Sequence, residues 1–298
     1  MKINGDDTHI IPIRFEYYAP TSLKEALDLF SKHGGDAAPL AGGTDLLVKA
    51  KQRLVEPKYV INIKNIKELN GIEEKGDGVH IGAATKLRTI ERSEMIKAKF
   101  PLFHEAVRAI GSVQIRNMAT IGGNLCNASP AADSAVALLA LDAKAHVISS
   151  EGVRTVPLED FFTGPGRTIL KPNELLAEVS SPHLPEDCGT SFLKIGRTSL
   201  DIAIVNIATM LKIEGEVVSD CRIALGAVAP MPIRAHMAEE ALRGKELTDE
   251  TLKTAARTVS GSIAPITDIR ATADYRKEVS ETLLRDALTI ARDRARRR

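Results

Sequence analysis

The 298-residue chain reads as an α+β protein. Three observations lead there. Helical periodicities and short β-branched runs fall in separate segments rather than in regular alternation. The front half carries two glycine-rich loops, Ala41-Gly42-Gly43-Thr44-Asp45 and Thr120-Ile121-Gly122-Gly123-Asn124, each just after a short apolar stretch. The back third joins an antiparallel hairpin signal to a long helical stretch. At roughly 150 residues per domain the length accommodates two domains. A chain that is 44% hydrophobic can bury its core without staples.

Residues 1–14 form an irregular lead-in. A helix starts after Ser22, which with Glu25 makes a capping box; Leu23, Ala26, Leu27 and Phe30 recur at helical spacing, and Gly34 sits at the C′ position. Residues 37–41 are a short apolar stretch leading into the first glycine loop. Residues 59–63 and 79–83 have strand composition. Residues 101–110 predict a helix with proline in its first turn. After the second glycine loop, residues 133–141 predict a buried helix and residues 143–148 a strand. From about residue 175 the texture changes. Residues 175–180, 192–196, 202–213 and 221–228 predict strands, the last two joined by Glu214-Gly215-Glu216. After Pro230 and Pro232 the chain is mostly helical. Val279, Leu283, Ala287 and Ile290 form a stripe on a last helix that runs into an arginine tail. The Pro182–Pro185 stretch is the expected domain boundary.

Charge and cysteine content remove several function classes. Lys plus Arg number 40 and Asp plus Glu 39. The tail from Arg292 carries a local +4, so the body is slightly acidic, unlike a basic-groove nucleic-acid binder. The longest apolar run, residues 135–141, is far short of the ~20 residues that span a bilayer. The N-terminus lacks the apolar core of a signal peptide. Cys126, Cys188 and Cys221 are few and widely spaced, as expected in a reducing compartment such as the cytoplasm. An iron–sulfur cluster needs about four thiolates, so a redox centre here would be organic. The scattered histidines and the lack of CxxC exclude a closely spaced zinc motif.

Neither GxGxxG before a helix nor GxxxxGK[ST] is present. Gly76-Asp77-Gly78…Gly82 misses the dinucleotide spacing and falls in a hairpin. The two glycine loops remain. Paired glycines permit positive φ and close backbone approach, and successive N–H groups then make a concave donor surface for phosphate. Thr44, Thr120 and Asn124 add side-chain donors. One Gly-Gly alone is an ordinary tight turn; two similar loops can grip the two halves of one pyrophosphate. On this reading a Cβ at Gly43 or Gly123 intrudes on the phosphate path.

The surroundings of the loops sharpen this. Residues 114–124, Gln114-Ile115-Arg116-Asn117-Met118-Ala119 running into Thr120-Ile121-Gly122-Gly123-Asn124, followed by Ser129-Pro130-Ala131-Ala132-Asp133, closely resemble the signature of the FAD-binding (medium) subunit of molybdenum hydroxylases. These are enzymes of the xanthine, carbon monoxide and nicotinate dehydrogenase type. Pro39-Leu40-Ala41-Gly42-Gly43-Thr44-Asp45-Leu46-Leu47 and the opening Phe15-Glu16-Tyr17-Tyr18-Ala19-Pro20-Thr21-Ser22-Leu23 are similar to the family too, and the resemblance spans about residues 13 to 290. It implies a two-part FAD-binding domain of the vanillyl-alcohol-oxidase-like (PCMH) type over 1–181, with subdomains of about 13–65 and 66–181. A C-terminal antiparallel sheet-plus-helices domain over 182–298 follows.

The resemblance implies site roles. Ala38, Pro39, Leu40, Ala41, Gly42, Gly43, Thr44 and Asp45 match the first pyrophosphate-binding segment, and Thr120, Ile121, Gly122, Gly123 and Asn124 the second. Asp133 matches an aspartate that bonds a hydroxyl of the FAD chain; on its own it is equally a helix N-cap. Leu176 matches a residue lining the flavin pocket, and otherwise is a core strand residue. Lys194 matches a lysine close to the flavin, where a cation stabilises the anionic reduced ring; the alternative is a lysine snorkelling from a half-exposed strand. Cys126 is expected to be a small buried residue, with a flavin-proximal thiol as the alternative, and the arginine tail a frayed helix end or an inter-subunit contact. No histidine adjoins either loop, so FAD is expected to be noncovalent. The implied function is electron transfer, with no catalytic residue on this chain. FAD takes electrons from [2Fe–2S] clusters of a small subunit and passes them to NAD, a quinone, oxygen or another acceptor. A large subunit holds the molybdenum cofactor, in a dimer of heterotrimers. The alternatives are a stand-alone FAD oxidase or reductase, and a structural subunit that has lost FAD.

Overall fold

The computed structural model describes residues 2–3 and 11–297, so most of the expected lead-in lies outside the described residues. Strands β1 (Lys2–Ile3), β2 (Phe15–Tyr18), β3 (Ala37–Leu40) and β4 (Tyr59–Asn62) form a sheet of order β1-β2-β4-β3, in which β4 runs parallel to β2 and β3. Parallel neighbours need crossovers. These are α1 (Leu23–His33) and α2 (Leu46–Lys51). The Ser22 hydroxyl caps α1 by accepting from Glu25 N–H at 3.3 Å, while the Glu25 carboxylate reaches back to Thr21 N–H, one residue earlier than in the standard box. Gly34 closes the helix at a φ of +53°. Ala26, Leu27 and Phe30 of α1 pack on Ile61, Ile63 and Ile66.

The central sheet is antiparallel, with order β5-β6-β11-β7-β8: β5 (Ile72–Lys75), β6 (Gly78–Gly82), β7 (Lys144–Ser149), β8 (Gly152–Pro157) and, after the hairpin of β9 (Phe162–Gly164) and β10 (Arg167–Thr168), β11 (Leu175–Ser181). Gly76-Asp77 is the two-residue turn between β5 and β6. Six helices lie between β6 and β7: α3 (Leu87–Arg92), α4 (Glu94–Lys99), α5 (Pro101–Arg108), α6 (Val113–Met118), α7 (Ile121–Cys126) and α8 (Asp133–Ala140). They bury one sheet face, where Val79, Ile81, Val147 and Val179 meet Phe103, Leu125 and Leu139. A register shift between Leu176 and Glu178 of β11 changes which face each side chain takes. Leu176 joins the helix side, Leu175 and Ala177 join the α1 cluster, and Glu178 is half-buried on the outer face.

The last sheet, β12 (Cys188–Ile195), β13 (Val205–Glu214), β14 (Val217–Gly226) and β15 (Ile233–Arg234), is antiparallel in chain order. Gly215, at a φ of +65°, turns the β13–β14 hairpin that Glu214-Gly215-Glu216 signals. Val205, Ile207 and Leu211 of β13 face α9 (His236–Leu242), α10 (Asp249–Thr258) and α11 (Ala273–Ala295). Ala208 and Ala224 face the other way, into the core that contains α8. Helix α8 is therefore covered on all sides, and each of its residues is buried.

Two expectations need correction. The strand predicted to begin at Ile202 begins at Val205, because residues 198–204 form a loop that Ile204 N–H ties back to Ile195 O. The arginine tail is not a frayed end: α11 stays helical through Ala295, and Arg292 bonds Asp249, Arg294 bonds Thr190 O and Glu105, and Arg296 bonds Glu216.

Candidate functional site

The first glycine loop leaves β3 and enters α2. Gly43 adopts a φ of +77°, the left-handed region that L side chains avoid. Among the described residues, the N–H groups of Gly42, Gly43, Thr44, Asp45 and Leu46 donate to no protein acceptor, whereas Leu47 N–H returns to Gly43 O at 3.1 Å. A row of free donors on a turn is a preformed anion cradle. The Asp45 side chain makes no capping bond to α2.

The second segment departs from the expected loop. Thr120 is the N-cap of α7, its hydroxyl accepting from Gly123 N–H at 3.1 Å, and Gly122 and Gly123 are helical. Every N–H from Ile121 to Asn124 is spent: on Thr85 O, Ala83 O, the Thr120 hydroxyl and Thr120 O in turn. No second backbone cradle exists here. What α7 offers is the Asn124 amide, whose oxygen accepts from the Ser134 hydroxyl at 2.6 Å and whose NH₂ has no protein partner among the described residues.

The glycines also meet a packing requirement. A Cβ on Gly42 would strike the Met118–Ala119 backbone, and one on Gly122 would lie 2.5 Å from the Ala83 Cβ. A Cβ on Gly43 would meet the side chains of Leu40 and Leu47 at 3.1 and 3.2 Å, and one on Gly123 the Thr120 hydroxyl at 3.0 Å. Gly42 and Gly122 thus let their segments approach the 118–119 and Ala83 backbone closely, whereas at Gly43 and Gly123 a Cβ meets neighbouring side chains.

Asp133 is the first residue of α8 and not its N-cap, which is Ala132. Its Oδ2 accepts from Lys194 Nζ at 2.7 Å and its Oδ1 from the Asn206 amide at 2.6 Å. Lys194 also donates to Ala109 O, at the end of α5, at 2.9 Å. The lysine thus joins a helix C-terminus to a carboxylate at a helix N-terminus, both favourable against the helix dipoles. Its side chain is 11% exposed, so it is buried and not snorkelling. Burial pushes the Asp133 carboxyl above its ordinary pKa, and Lys194 and Asn206 offset this only in part.

Ala38, Pro39, Ala41, Gly42, Gly43, Thr44, Asp45, Thr120, Gly122, Gly123, Asn124, Asp133, Leu176 and Lys194 all line one cavity of about 520 Å³. Leu40 and Ile121 do not: their side chains are buried in the first sheet's cluster and in the main core. Residues unforeseen in the sequence complete the wall. Lys49, one turn beyond Asp45 on α2, bonds Asn127 at 2.7 Å; helical spacing from Asp45 is the signal that finds it. Leu200, Asp201 and Ile202 arrive on the 198–204 loop, which carries no local motif. Cys126 also lines the cavity, half-buried, and burial pushes its thiol up to about 12. Glu174 is held below the usual carboxylate range by the Arg154 guanidinium, despite burial, and Asp201 by Arg197.

A mostly apolar chamber with one donor row and one buried ion pair suits an elongated ligand with an anionic middle. The profile described as the FAD binding domain in molybdopterin dehydrogenase matches residues 13–184, and that of the CO dehydrogenase flavoprotein C-terminal domain matches residues 190–291. The chain is 38% identical to the glyceraldehyde dehydrogenase medium chain of Sulfolobus acidocaldarius, over 91% of this chain and 96% of that one. It is 36% identical to the carbon monoxide dehydrogenase medium chain of Hydrogenophaga pseudoflava, over 95% and 98%. The carbon monoxide dehydrogenase structure from the same organism, in a form lacking the Mo-pyranopterin moiety of the cofactor, superposes with a TM-score of 0.92 at 38% identity, covering 94% of this chain and 98% of that one.

This chain belongs to the FAD-binding medium subunits of the molybdenum hydroxylases. It is an oxidoreductase subunit with an FAD-binding domain. The residues present in this medium subunit fit that cofactor: the free N–H row can take a diphosphate, and Ile110, Ile115, Leu176, Leu200 and Ile202 offer apolar surface for a planar ring.

Proposed function

We propose that this medium subunit carries noncovalent FAD and relays electrons in a molybdenum-containing hydroxylase complex. Electrons come from [2Fe–2S] clusters on a small subunit and leave for an external acceptor such as NAD, a quinone or oxygen. The molybdenum cofactor belongs to a large subunit, the assembly is a dimer of heterotrimers, and the compartment is the cytoplasm. The observation that carries this is the donor row from Gly42 to Leu46 opening on the cavity. These N–H groups would hold the diphosphate; Asn124 would donate from the opposite wall, and Asp133 has lone pairs left for a hydroxyl of the chain. The bound flavin supplies one- and two-electron chemistry. The protein positions it and sets its electrostatics.

The state of the lining charges favours a relay over a stand-alone oxidase. Of the lining carboxylates, Asp133 is paired with Lys194, Glu174 with Arg154 and Asp201 with Arg197, so these three are committed to structure; Asp45, exposed in the first glycine loop beside the donor row, is the lining carboxylate outside these pairs. Only three cysteines occur in the whole chain, fewer than one cluster needs.

The test is reduction of the purified, FAD-loaded chain. Small alcohols and amines should leave the flavin oxidised, and a reduced cluster-bearing partner should bleach it. Direct bleaching by a small molecule, without partners, would favour the stand-alone reading. Release of the flavin on acid precipitation checks that it is not covalent.

A further inference from the structure

The outer face of the central sheet holds a second constellation, away from the cavity. His80 of β6, Glu178 of β11 and His146 of β7 lie on three adjacent strands. Register makes them neighbours: His80 pairs with Ser180, and Glu178 with His146. The shift after Leu176 turns Glu178 outward; without it the carboxylate would follow Leu176 to the helix side. One ligand atom from each of the three residues lies within 4.8 Å of the others. His80 Nδ1 is 2.5 Å and His146 Nε2 3.9 Å from Glu178 Oε1. Donors around a tetrahedral zinc stand about 3.4 Å apart, given bonds of about 2.0–2.2 Å, so rotamer-scale adjustment closes the set.

The remaining ring nitrogens add an independent argument. His80 Nε2 faces the Asp77 carboxylate at 3.0 Å, and His146 Nδ1 faces the Thr155 hydroxyl at 3.0 Å. Each imidazole is thus oriented from behind, as in carboxylate–histidine–metal arrangements; the other nitrogen of His80 faces Glu178, while His146 Nε2 bonds the Ser180 hydroxyl at 2.8 Å, a contact that a metal would replace. His80 also has carboxylate oxygens at both nitrogens. Lys75 Nζ, 3.7 Å from Glu178 Oε2, is the competing cation at present, and its side chain is 42% exposed and free to swing aside.

We propose that His80, His146 and Glu178 form a site for a divalent transition metal of the zinc class, which staples β6, β11 and β7 on the outer face of the sheet, at residues that do not line the FAD cavity. Two imidazoles and a carboxylate leave a fourth position open to water. The site is independent of the reading given above for the cavity, and flavin content serves as the check on folding.

The experiment uses the untagged full chain, stripped with chelator and dialysed against Zn²⁺. Metal analysis should give one zinc per chain, Co²⁺ substitution a visible absorption of tetrahedral type, and Zn²⁺ a higher melting temperature. His146→Asn and Glu178→Gln should each weaken binding at least tenfold and abolish the Co²⁺ band, with flavin content kept. Asp77→Asn, at an exposed turn, should weaken binding roughly tenfold through the ring it orients. Lys75→Met should strengthen it. Wild-type chain that retains no zinc, or variants that bind it as wild type does, would overturn the proposal. If His146→Asn fails to fold, Asp77→Asn and Lys75→Met decide alone, by their opposite directions.

Discussion

Lys194 and Asp133 are separated by 61 positions in the chain and 2.7 Å in space, both nearly buried. Removing the lysine leaves a buried carboxylate with only Asn206, so Lys194→Met should cost about 3–5 kcal/mol at pH 7. The loss should shrink as pH falls. In the variant, Asp133 has a folded pKa raised above its unfolded value, so its penalty is present above that folded pKa and disappears below it. Urea unfolding at pH 7 and pH 5 checks both points. Asp133→Asn in the same chain should recover most of the loss. If the pair borders the flavin ring, Lys194→Met should lower the flavin midpoint potential and Asp133→Asn raise it, because each leaves the opposite charge in excess. Potentials that move together, or not at all, would separate the pair from the ring. Gly43 illustrates a different residue-scale constraint. With φ at +77°, Gly43→Ala should cost about 1–2 kcal/mol and weaken FAD retention by distorting the donor row, as equilibrium dialysis against free FAD would show.

At the scale of elements, α7 shows how one motif can hold two kinds of glycine. Residues 41–45 are a turn with free donors; residues 121–126 are a helix whose donors are all occupied. Both sequences contain Gly-Gly beside Thr, and propensity alone favours a loop for either. The Thr120 cap and the contact of Gly122 with Ala83 make the second one helical. Thr120→Ala should therefore lose about 1 kcal/mol of stability through the cap. Gly122→Ala should lose more, about 1–3 kcal/mol, since its methyl must displace the Ala83 backbone. Thermal melts of the two variants, with and without FAD, would place the loss in the apo fold and not in ligand contact. The bulge in β11 is likewise invisible to a period-2 pattern: Leu175-Leu176-Ala177-Glu178 looks like an ordinary strand, yet it sends Leu176 and Glu178 to opposite faces.

At the scale of the molecule, α8 is the shared wall between the central and C-terminal sheets, and a second clamp acts farther along. Arg276 of α11, 3% exposed, donates to Ile204 O at 2.6 Å, to Ala227 O at 3.1 Å and to Asp268 at 2.8 Å, which holds the 198–204 cavity loop to the last helix. Burial pushes the Asp268 carboxyl up, but the N–H groups of Arg270 and Ala271 and the Arg276 guanidinium outweigh it and hold the pKa at about 2. A depressed carboxyl stabilises the fold above its unfolded pKa, and that contribution is lost as pH falls through the folded value. Asp268→Asn should thus cost about 1–2 kcal/mol at pH 7, discounted for partial exposure, with the difference from wild type closing between pH 4 and pH 2. A constant difference across that window would assign the cost to lost packing.

Much of this was readable from the chain alone. The Ser22 cap, the apolar run over 135–141, the Gly215 hairpin and the opening motif of each half act within a few residues of themselves, so local chemistry marks them directly. The family resemblance likewise rests on contiguous residues, and the matches over 13–184 and 190–291 support it. Packing decided the rest. Which glycine segment keeps its N–H groups free, the burial of Lys194 against Asp133, the cavity wall supplied by residues 200–202 and the meeting of His80, His146 and Glu178 all depend on partners tens of residues away. Strand register and helix docking bring such groups within hydrogen-bond range, and their energies arise only after the chain has closed those distances.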